Sequence, residues 1–234
     1  MPNDSNLLLA TLSPSDTAAL QPHLKSINLE QQQILVEAGG AIEAIYFPTS
    51  AVISIVACLS TGELVEAAMI GRDGVVGASA SLDGKISLSR MIVQLAGGAM
   101  MCSLDGLRSA AMQSQPLLSL LIRHEQTLYA QAQQSAACMA AHHVEARLCR
   151  WLLRSRDLAG SDTLPFTQEF LSEMLGVRRT SVSVVAHTLQ QAGMVKYARG
   201  KIQITDLEGL REAACECYQT IKSHYQGLLG SEPK

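Results

Sequence analysis

Between Ile34 and Leu104 the chain alternates short apolar runs with turn residues. The stretch "ILVEAGGAIEAIYFPTSAVISIVACLSTGELVEAAMIGRDGVVG" is broken at Gly39-Gly40, Pro48, Gly62, Gly71 and Gly74. Apolar runs punctuated about every eight to twelve residues predict an antiparallel sandwich or barrel, with a further strand over Arg90–Leu95 ahead of Gly97-Gly98. At Gln113 the pattern changes. From there the chain holds one early proline, Pro116, and no glycine until Gly160, which predicts long helices. Leu118, Ile122, Glu125, Tyr129, Ala132, Ala136 and Met139 recur there in the 4-3 spacing of a heptad seam with one charged position. The adjacent register, Leu117, Leu121, His124, Leu128, Gln131, Ser135 and Cys138, turns polar in its second half. The first register is therefore expected to meet another helix. A second copy of the chain is the simplest source of one, and the alternative is a seam covered by the chain's own β domain. After the loop Gly160–Pro165, the tail from Asp206 to Leu229 spaces Leu207, Leu210, Ala214, Cys217, Ile221, Tyr225 and Leu228 as one amphipathic helix with Asp206 as its N-cap.

The segment "FLSEMLGVRRTSVSVVAHTLQQAGMVKYARGKIQI" carries the most specific pattern. Numbered as a helix-turn-helix from Gln168, its fifth residue is the small Ser172, where two helices cross closely. Its ninth is Gly176, where the turn favours positive φ. Leu171, Leu175, Val177, Val182 and Val185 fall at the positions that share a core. On the second helix Val182, Val185 and Leu189 then point inward, which turns Thr180, Val184, His187 and Gln191 outward with Ser183 on the flank. Arg178 and Arg179 stand at the helix N-terminus, where a recognition helix first meets phosphates and base edges. Beyond Gly193 two strands joined by Ala198-Arg199-Gly200 form a hairpin with Lys196, Arg199 and Lys201, a basic wing suited to a phosphate backbone.

The formal net charge of −3 conceals an asymmetry: residues 145–205 hold nine Lys/Arg and five Asp/Glu, and the remainder holds nine and sixteen. A basic region within an acidic chain points to a local anionic partner. With 234 residues, 47% of them hydrophobic, the chain is long enough to bury real cores. Its six cysteines, Cys58, Cys102, Cys138, Cys149, Cys215 and Cys217, are expected as reduced thiols. Cys215 and Cys217 form a C-x-C pair. If both lay on one helix they would diverge by roughly 200° and chelate one ion poorly, so no metal is expected. No apolar run is long enough to span a membrane and the opening residues lack a signal peptide's basic start, so a cytoplasmic protein without membrane contact is expected. H-E-x-x-H, G-x-S-x-G and P-loop patterns are absent, which argues against an enzyme.

Taken together, "VEAGGAIEAIYFPTSAVISIV", Thr61–Glu63, "MIGRDGVVG" and the helix-turn-helix segment resemble the cyclic-AMP receptor protein/FNR (Crp/Fnr) family of bacterial transcription regulators over nearly the whole chain. The resemblance implies an α+β fold: a β-roll sensor with a cyclic-nucleotide-binding-like jelly roll at 1–112, a dimerisation helix at 113–143 and a winged helix-turn-helix at 144–234. It implies a homodimer through Leu118, Ile122, Tyr129, Ala132, Ala136 and Met139. It also implies double-stranded DNA with a near-palindromic site as a partner, with RNA polymerase as a further one. DNA contacts are expected from Arg178, Arg179, Thr180, Ser183, Val184, His187, Lys196, Arg199 and Lys201. An effector pocket is expected at Gly71, Arg72, Asp73, Gly74, Ser89 and Arg90.

Departures from the family's cyclic-AMP-binding members are local. Gly71-Arg72-Asp73-Gly74 stands where those members have Gly-Glu-Leu-Gly, and Ser89-Arg90 reverses their Arg-Ser order. Ala132 and Gln133 replace the hydroxyls that read adenine. The signal is therefore expected to be an unidentified one other than cyclic AMP, with no cofactor. Arg72 and Arg90 either form a positive pocket for an anion or pair with neighbours such as Asp73 or Asp83. No cysteine precedes Cys58, so the N-terminal iron–sulfur centre of redox members is not expected. The alternative function is a β-roll sensor acting through protein contacts, with a degenerate DNA-binding domain.

Overall fold

The computed structural model describes residues 5–230. Two short helices, α1 (Leu7–Ala10) and α2 (Pro14–Leu20), precede β1 (Leu24–Leu29), β2 (Ile34–Val36), β3 (Ala44–Pro48), β4 (Val52–Cys58) and β5 (Leu64–Ile70). The one-turn helix α3 (Ala78–Ser81), β6 (Arg90–Leu95) and β7 (Gly97–Ser103) complete the β-roll. Its strands form two antiparallel sheets, ordered β2-β6-β4-β5 and β1-β7-β3. Then come α4 (Leu104–Gln113), the long α5 (Gln115–Ala141), α6 (Val144–Ala159), β8 (Thr163–Leu164), α7 (Gln168–Leu175) and α8 (Arg179–Gln191). A hairpin of β9 (Val195–Ala198) and β10 (Lys201–Ile204), then α9 (Leu207–Ala213) and α10 (Cys217–Leu228), finish the chain. The fold is the expected α+β arrangement of β-roll, long helix and winged helix-turn-helix. No helix among the described residues is long and apolar enough to cross a membrane.

Local chemistry explains the element limits. Ser114 caps α5 by accepting from the Leu117 amide, and Pro116 sits in the first turn, where it forfeits no hydrogen bond. α5 ends at His142, whose extended backbone redirects the chain into α6. The C-terminal tail departs from the single helix expected. Asp206 does cap α9, accepting from the Gly209 amide, but the backbone turns extended at Ala214, so the tail is two helices. The break lets α10 fold back along α5, where Ile221, Tyr225 and Leu228 join a core with Leu8, Leu20, Phe47, Leu117 and Leu121. Periodicity carries through the break because both helices bury the same kind of face.

The C-terminal half is not tethered loosely. Val52, Val56, Met69, Ile92 and Leu95 of the β-roll share one core with Leu148, Trp151, Leu152, Phe166, Phe170 and Leu189. Trp151 is the chain's one tryptophan, and two of its three phenylalanines pack on it. Phe166 meets it edge-on at 4.7 Å between centroids, Phe170 at 6.2 Å, and the two phenylalanines stack at 5.4 Å.

A polar network crosses the same boundary. Glu66 on β5 is buried and accepts from Trp151 Nε1 at 2.9 Å. Its other oxygen lies 2.6 Å from Ser54 Oγ, which is 2.7 Å from Gln94 Oε1, and Gln94 donates to Ser155 Oγ at 3.0 Å. One Ser54 proton cannot serve both Glu66 and Gln94. If Glu66 is protonated it donates to Ser54, which donates to Gln94, and every partner in the chain is satisfied. Burial pushes the Glu66 carboxyl up to about 7, against hydrogen bonds from Ser54 and Trp151 and the charges of Arg150 and Arg154. Beside it Arg154 and Asp73 form an ion pair at 2.7 Å, both side chains buried, with the guanidinium 4.5 Å from the centroid of the Tyr225 ring. The Tyr225 hydroxyl donates to Gln131 of α5, and burial raises its pKa.

The nine basic residues of 145–205 are thus not all a surface feature. Arg147, Arg150 and Arg154 are buried in the joint, and Arg147 donates to the Leu175 carbonyl at the end of α7.

Two outcomes follow for stability. Asp73→Asn leaves the Arg154 guanidinium buried beside a neutral group, and urea denaturation should show a loss of about 3–5 kcal/mol; a loss below about 1 kcal/mol would mean that Arg154 finds another counter-charge. For Glu66, the folded pKa lies above the unfolded value of 4.5. The folded state therefore holds a proton that the unfolded chain has released between those values. Stability from this group is complete below pH 4.5 and falls by about 3 kcal/mol as pH rises to 7. Glu66→Gln should remove that component from the pH profile of the denaturation midpoint, and an unaltered profile would assign the titration to another group.

Candidate nucleic-acid interface

α7 and α8 cross as the sequence pattern requires. Thr167 caps α7 by accepting from the Phe170 amide, and Gly176 ends it in the left-handed conformation at φ 61°. The Gly176 site is also tight: a Cβ there would lie 3.1 Å from a Val65 methyl of the β-roll. Ser172 is buried at the crossing, and its hydroxyl donates back to the Glu169 carbonyl. On α8, Val182, Ala186 and Leu189 face the core.

The opposite face is open. Arg178, Arg179, Thr180, Val184 and His187 are exposed, and Val184 is 67% exposed despite being apolar. Arg179 makes a loose ion pair with Glu169 at 3.4 Å, with both side chains mostly in solvent. Ser183 is partly buried and spends its hydroxyl within the protein, 2.6 Å from Gln168 Oε1 and 3.1 Å from the Arg179 carbonyl. Arg178 is the helix N-cap residue and makes no side-chain cap, so amide groups of the first turn have no side-chain acceptor.

The wing forms as expected, with Lys201 opposite Ala198 and Gln203 opposite Lys196. Its loop is the dipeptide Arg199-Gly200, with φ 50° and 73°, so Ala198 belongs to the strand. Two consecutive positive φ values match the twist of a tight hairpin, at some strain for the arginine. Lys196, Arg199 and Lys201 are all exposed at the wing surface. They share no ion pair with an acidic side chain among the described residues.

The residues expected to line an effector pocket do not come together. Gly71 and Gly74 are packing positions: a Cβ on Gly71 would lie 2.9 Å from Leu158 of α6, and one on Gly74 would lie 2.7 Å from His124 of α5. Asp73 pairs with Arg154, and the Arg72 carbonyl accepts from the Leu7 amide. Arg90 bonds Glu37 at 2.7 Å, an interaction that raises its pKa, while Asp83 faces Arg108. Strand register keeps the two arginines apart. Arg90 lies opposite Val56 and Ile70 opposite Ile53, so the end of β5 is roughly 10 Å from Arg90 along the strand direction, and Arg72 lies beyond it in the turn closed by the Gly74 amide on the Gly71 carbonyl.

A cleft of 280 Å³ does lie between the β-roll and α5, but one turn further along the chain. It is lined by Gly77, Ser79, Ser87, Ser89, Glu125 and Leu128 together with isoleucines, Leu88 and Met91. Of the expected residues only Ser89 reaches it. Gly74-Val75-Val76-Gly77 repeats the Gly-x-x-Gly spacing of Gly71–Gly74, and this second repeat was the signal for the cleft. No cation lines it.

On α5 the two heptad registers separate cleanly. Leu117, Leu121, His124, Gln131, Ser135 and Cys138 are buried, and two of the polar members find backbone partners: His124 accepts from the Val75 amide, and Gln131 donates to the Met69 carbonyl. Of the other register, Ile122 and Tyr129 are 46% and 67% exposed, Ala136 is exposed, and Leu118, Ala132 and Met139 are half-buried. The chain's own β domain does not cover this seam.

Comparison with known proteins fits this geometry. Residues 146–213 match the family model of the Crp-like helix-turn-helix domain. No curated protein sequence matches the chain. Among solved structures, FixK2 from Bradyrhizobium japonicum superposes with a TM-score of 0.70 at 14% identity, covering 82% of this chain and 98% of its own. The c-di-GMP-responsive global regulator CLP of Xanthomonas campestris gives 0.67 at 14%, covering 83% and 100%. A transcriptional regulator of the CRP/FNR family from Thermus thermophilus gives 0.65 at 19%, covering 81% and 98%. At these identities the structural likeness is one of fold. Over residues 146–213 the chain is similar to the Crp-like helix-turn-helix domain, and as a whole it shares the fold of these solved structures.

Proposed function

We propose that the chain is a homodimeric, cytoplasmic transcription regulator that reads a specific double-stranded DNA site and answers to a signal at the β-roll other than cyclic AMP. The observation that carries this reading is the open face of α8. Arg178, Arg179, Thr180, Val184 and His187 are exposed beside a wing with three cations at its surface, while the opposite face holds the domain together. Side-chain ends at an α8 N-terminus can reach base edges, and its free amides suit a phosphate. Ser183, engaged with Gln168, is the weakest of the assigned contacts. A degenerate reader acting only through protein contacts would have no need of cations on both helix and wing.

The seam on α5 supports the homodimer. Ile122, Tyr129 and Ala136 face solvent in a single chain, and pairing two copies about a two-fold axis sets the two readers on half-sites roughly one DNA turn, about 34 Å, apart. The cleft supports a signal other than cyclic AMP. A cyclic phosphate there would meet the Glu125 carboxylate and find no cation to neutralise it.

Selection from a random duplex pool, followed by mobility shifts at several salt concentrations, tests the reading. Arg179→Ala should cost about 1–3 kcal/mol on the selected site and relax its sequence preference. Lys201→Ala should weaken all sequences alike and lower the salt slope by about 1. An Arg179→Ala protein with intact preference would place the recognition face elsewhere.

Ile122→Asp puts a charge in the seam. Sedimentation should show a monomer with reduced operator affinity and an unchanged circular dichroism spectrum. A wild-type protein that sediments as a monomer at micromolar concentration would remove the dimer from this reading.

A further inference from the structure

Three cysteines and a histidine converge where α5 ends and α10 begins. Cys138 and His142 are one helical turn apart, and His142 is the C-cap of α5. Cys215 lies in the extended break after α9, and Cys217 opens α10. The expectation that Cys215 and Cys217 diverge assumed one helix through both; the break removes that premise and turns both thiols to the same side. Among the described residues one ligand atom from each of the four side chains lies within 4.8 Å of the other three. Cys138 Sγ is 3.5 Å from Cys215 Sγ, and Cys217 Sγ is 3.6 Å from His142 Nδ1. The three cysteines are buried and His142 is half-buried.

These separations suit one ion. With metal–sulfur distances of about 2.3 Å and metal–nitrogen distances of about 2.0–2.1 Å, tetrahedral ligand atoms stand roughly 3.5–3.8 Å apart. The surroundings are also those of a ligand set. Glu216 Oε2 is 3.2 Å from His142 Nε2, the nitrogen turned away from the sulfurs. That contact places the imidazole proton on Nε2 and leaves Nδ1 as a lone-pair donor, the carboxylate–histidine pairing common behind metal ligands. Gln134 Nε2 donates to Cys217 Sγ at 3.0 Å. Arg147 and Arg150 lie close enough for their charges to act on Cys138, and would offset the net negative charge of three thiolates around a dication.

We propose that Cys138, His142, Cys215 and Cys217 form a closed tetrahedral site for a single thiophilic divalent cation, with zinc the metal that a sulfur-rich S₃N set in this geometry favours. Four protein ligands leave no open coordination position, so the ion has a structural role. It clasps the C-terminal end of α5, next to the turn into α6, to the start of α10. A multi-iron cluster needs ligand atoms set around several metal centres, whereas these converge on one point. A Cys138–Cys215 disulfide would account for two of the four side chains and leave Cys217 and His142 unexplained.

The test uses cobalt(II) and zinc(II) on the full-length, untagged, reduced chain after removal of metal, and no arm of it involves DNA. One cobalt per chain should bind with the intense visible bands of a tetrahedral thiolate site, and equimolar zinc should bleach them. Cys217→Ser should lose that spectrum, and His142→Gln should alter it. Glu216→Gln, an exposed change behind the histidine, should weaken zinc by about 10–100-fold. Circular dichroism establishes that each variant folds; if Cys217→Ser does not, the His142 and Glu216 variants decide. No uptake, a weak octahedral spectrum, or a spectrum that Cys217→Ser and His142→Gln leave unchanged would overturn the proposal. So would recovery of a Cys138–Cys215 disulfide from protein kept reduced throughout.

Discussion

The position of the whole C-terminal half depends on two carboxyl groups buried beneath α6. Glu66 meets the Trp151 indole and Asp73 meets the Arg154 guanidinium. Both acids belong to the β-roll and both partners lie one turn apart on one helix. An apolar helix face could slide or rotate on a sheet at small cost, because burial is proportional to area and indifferent to direction. A buried hydrogen bond and a buried ion pair allow no such freedom, since displacement leaves desolvated polar groups unpaired. The aromatic trio of Trp151, Phe166 and Phe170 then supplies apolar area around a fixed point.

With α6 fixed, the orientation of the helix-turn-helix follows. Arg147 on α6 holds the last turn of α7 through the Leu175 carbonyl, and Gly176 brings the turn after α7 against Val65 of β5. A cleft of 430 Å³ remains between the β4–β5 hairpin and the start of α8, with Arg178 and Arg179 on its rim and Glu63 on the other side. The N-terminal end of α8 thus stands next to the β-roll, while Val184 and His187 further along α8 face away from the core. The β-roll and the helix-turn-helix share a boundary that is partly dry core and partly open cleft.

How much of this was legible varied with the range of the interaction. The helix-turn-helix was readable because its constraints are local: a small residue at Ser172, a left-handed position at Gly176 and apolar spacing across about twenty residues. The α5 seam was readable for the same reason, and the polar register beside it proved to be buried because His124 and Gln131 find backbone partners that composition does not reveal. The residues expected to share one pocket were not seen to be apart, because two Gly-x-x-Gly spacings overlap at Gly74, and only the fold shows that Gly71 and Gly74 yield space to helices while Gly77 borders the cleft. The regional charge overstated the surface, since three of its arginines are buried where only long-range contact could put them. Helix breaks without glycine or proline are the least visible of all. Nothing in "REAACECYQT" marks Ala214 as extended, yet that residue decides whether two thiols diverge or converge.

The helix α5 connects these features because it is stiff and each of its faces has a different neighbour. Its buried face packs on the β-roll, Glu125 and Leu128 border the cleft, Ile122 and Tyr129 face out, and its last turn carries Cys138 and His142. A rod in which i and i+4 lie on one face cannot move its cleft-facing residues without also moving those a residue away on the seam. Any signal that shifts Leu128 therefore shifts Tyr129 as well. At the other end, the turn at His142 and His143 hands the displacement to α6, whose far end is pinned by Asp73. Motion that starts in the cleft must then either be absorbed at the α5–α6 turn or strain the buried ion pair. The side chains gathered at that turn decide which, and a clasp holding the end of α5 to α10 would favour the second.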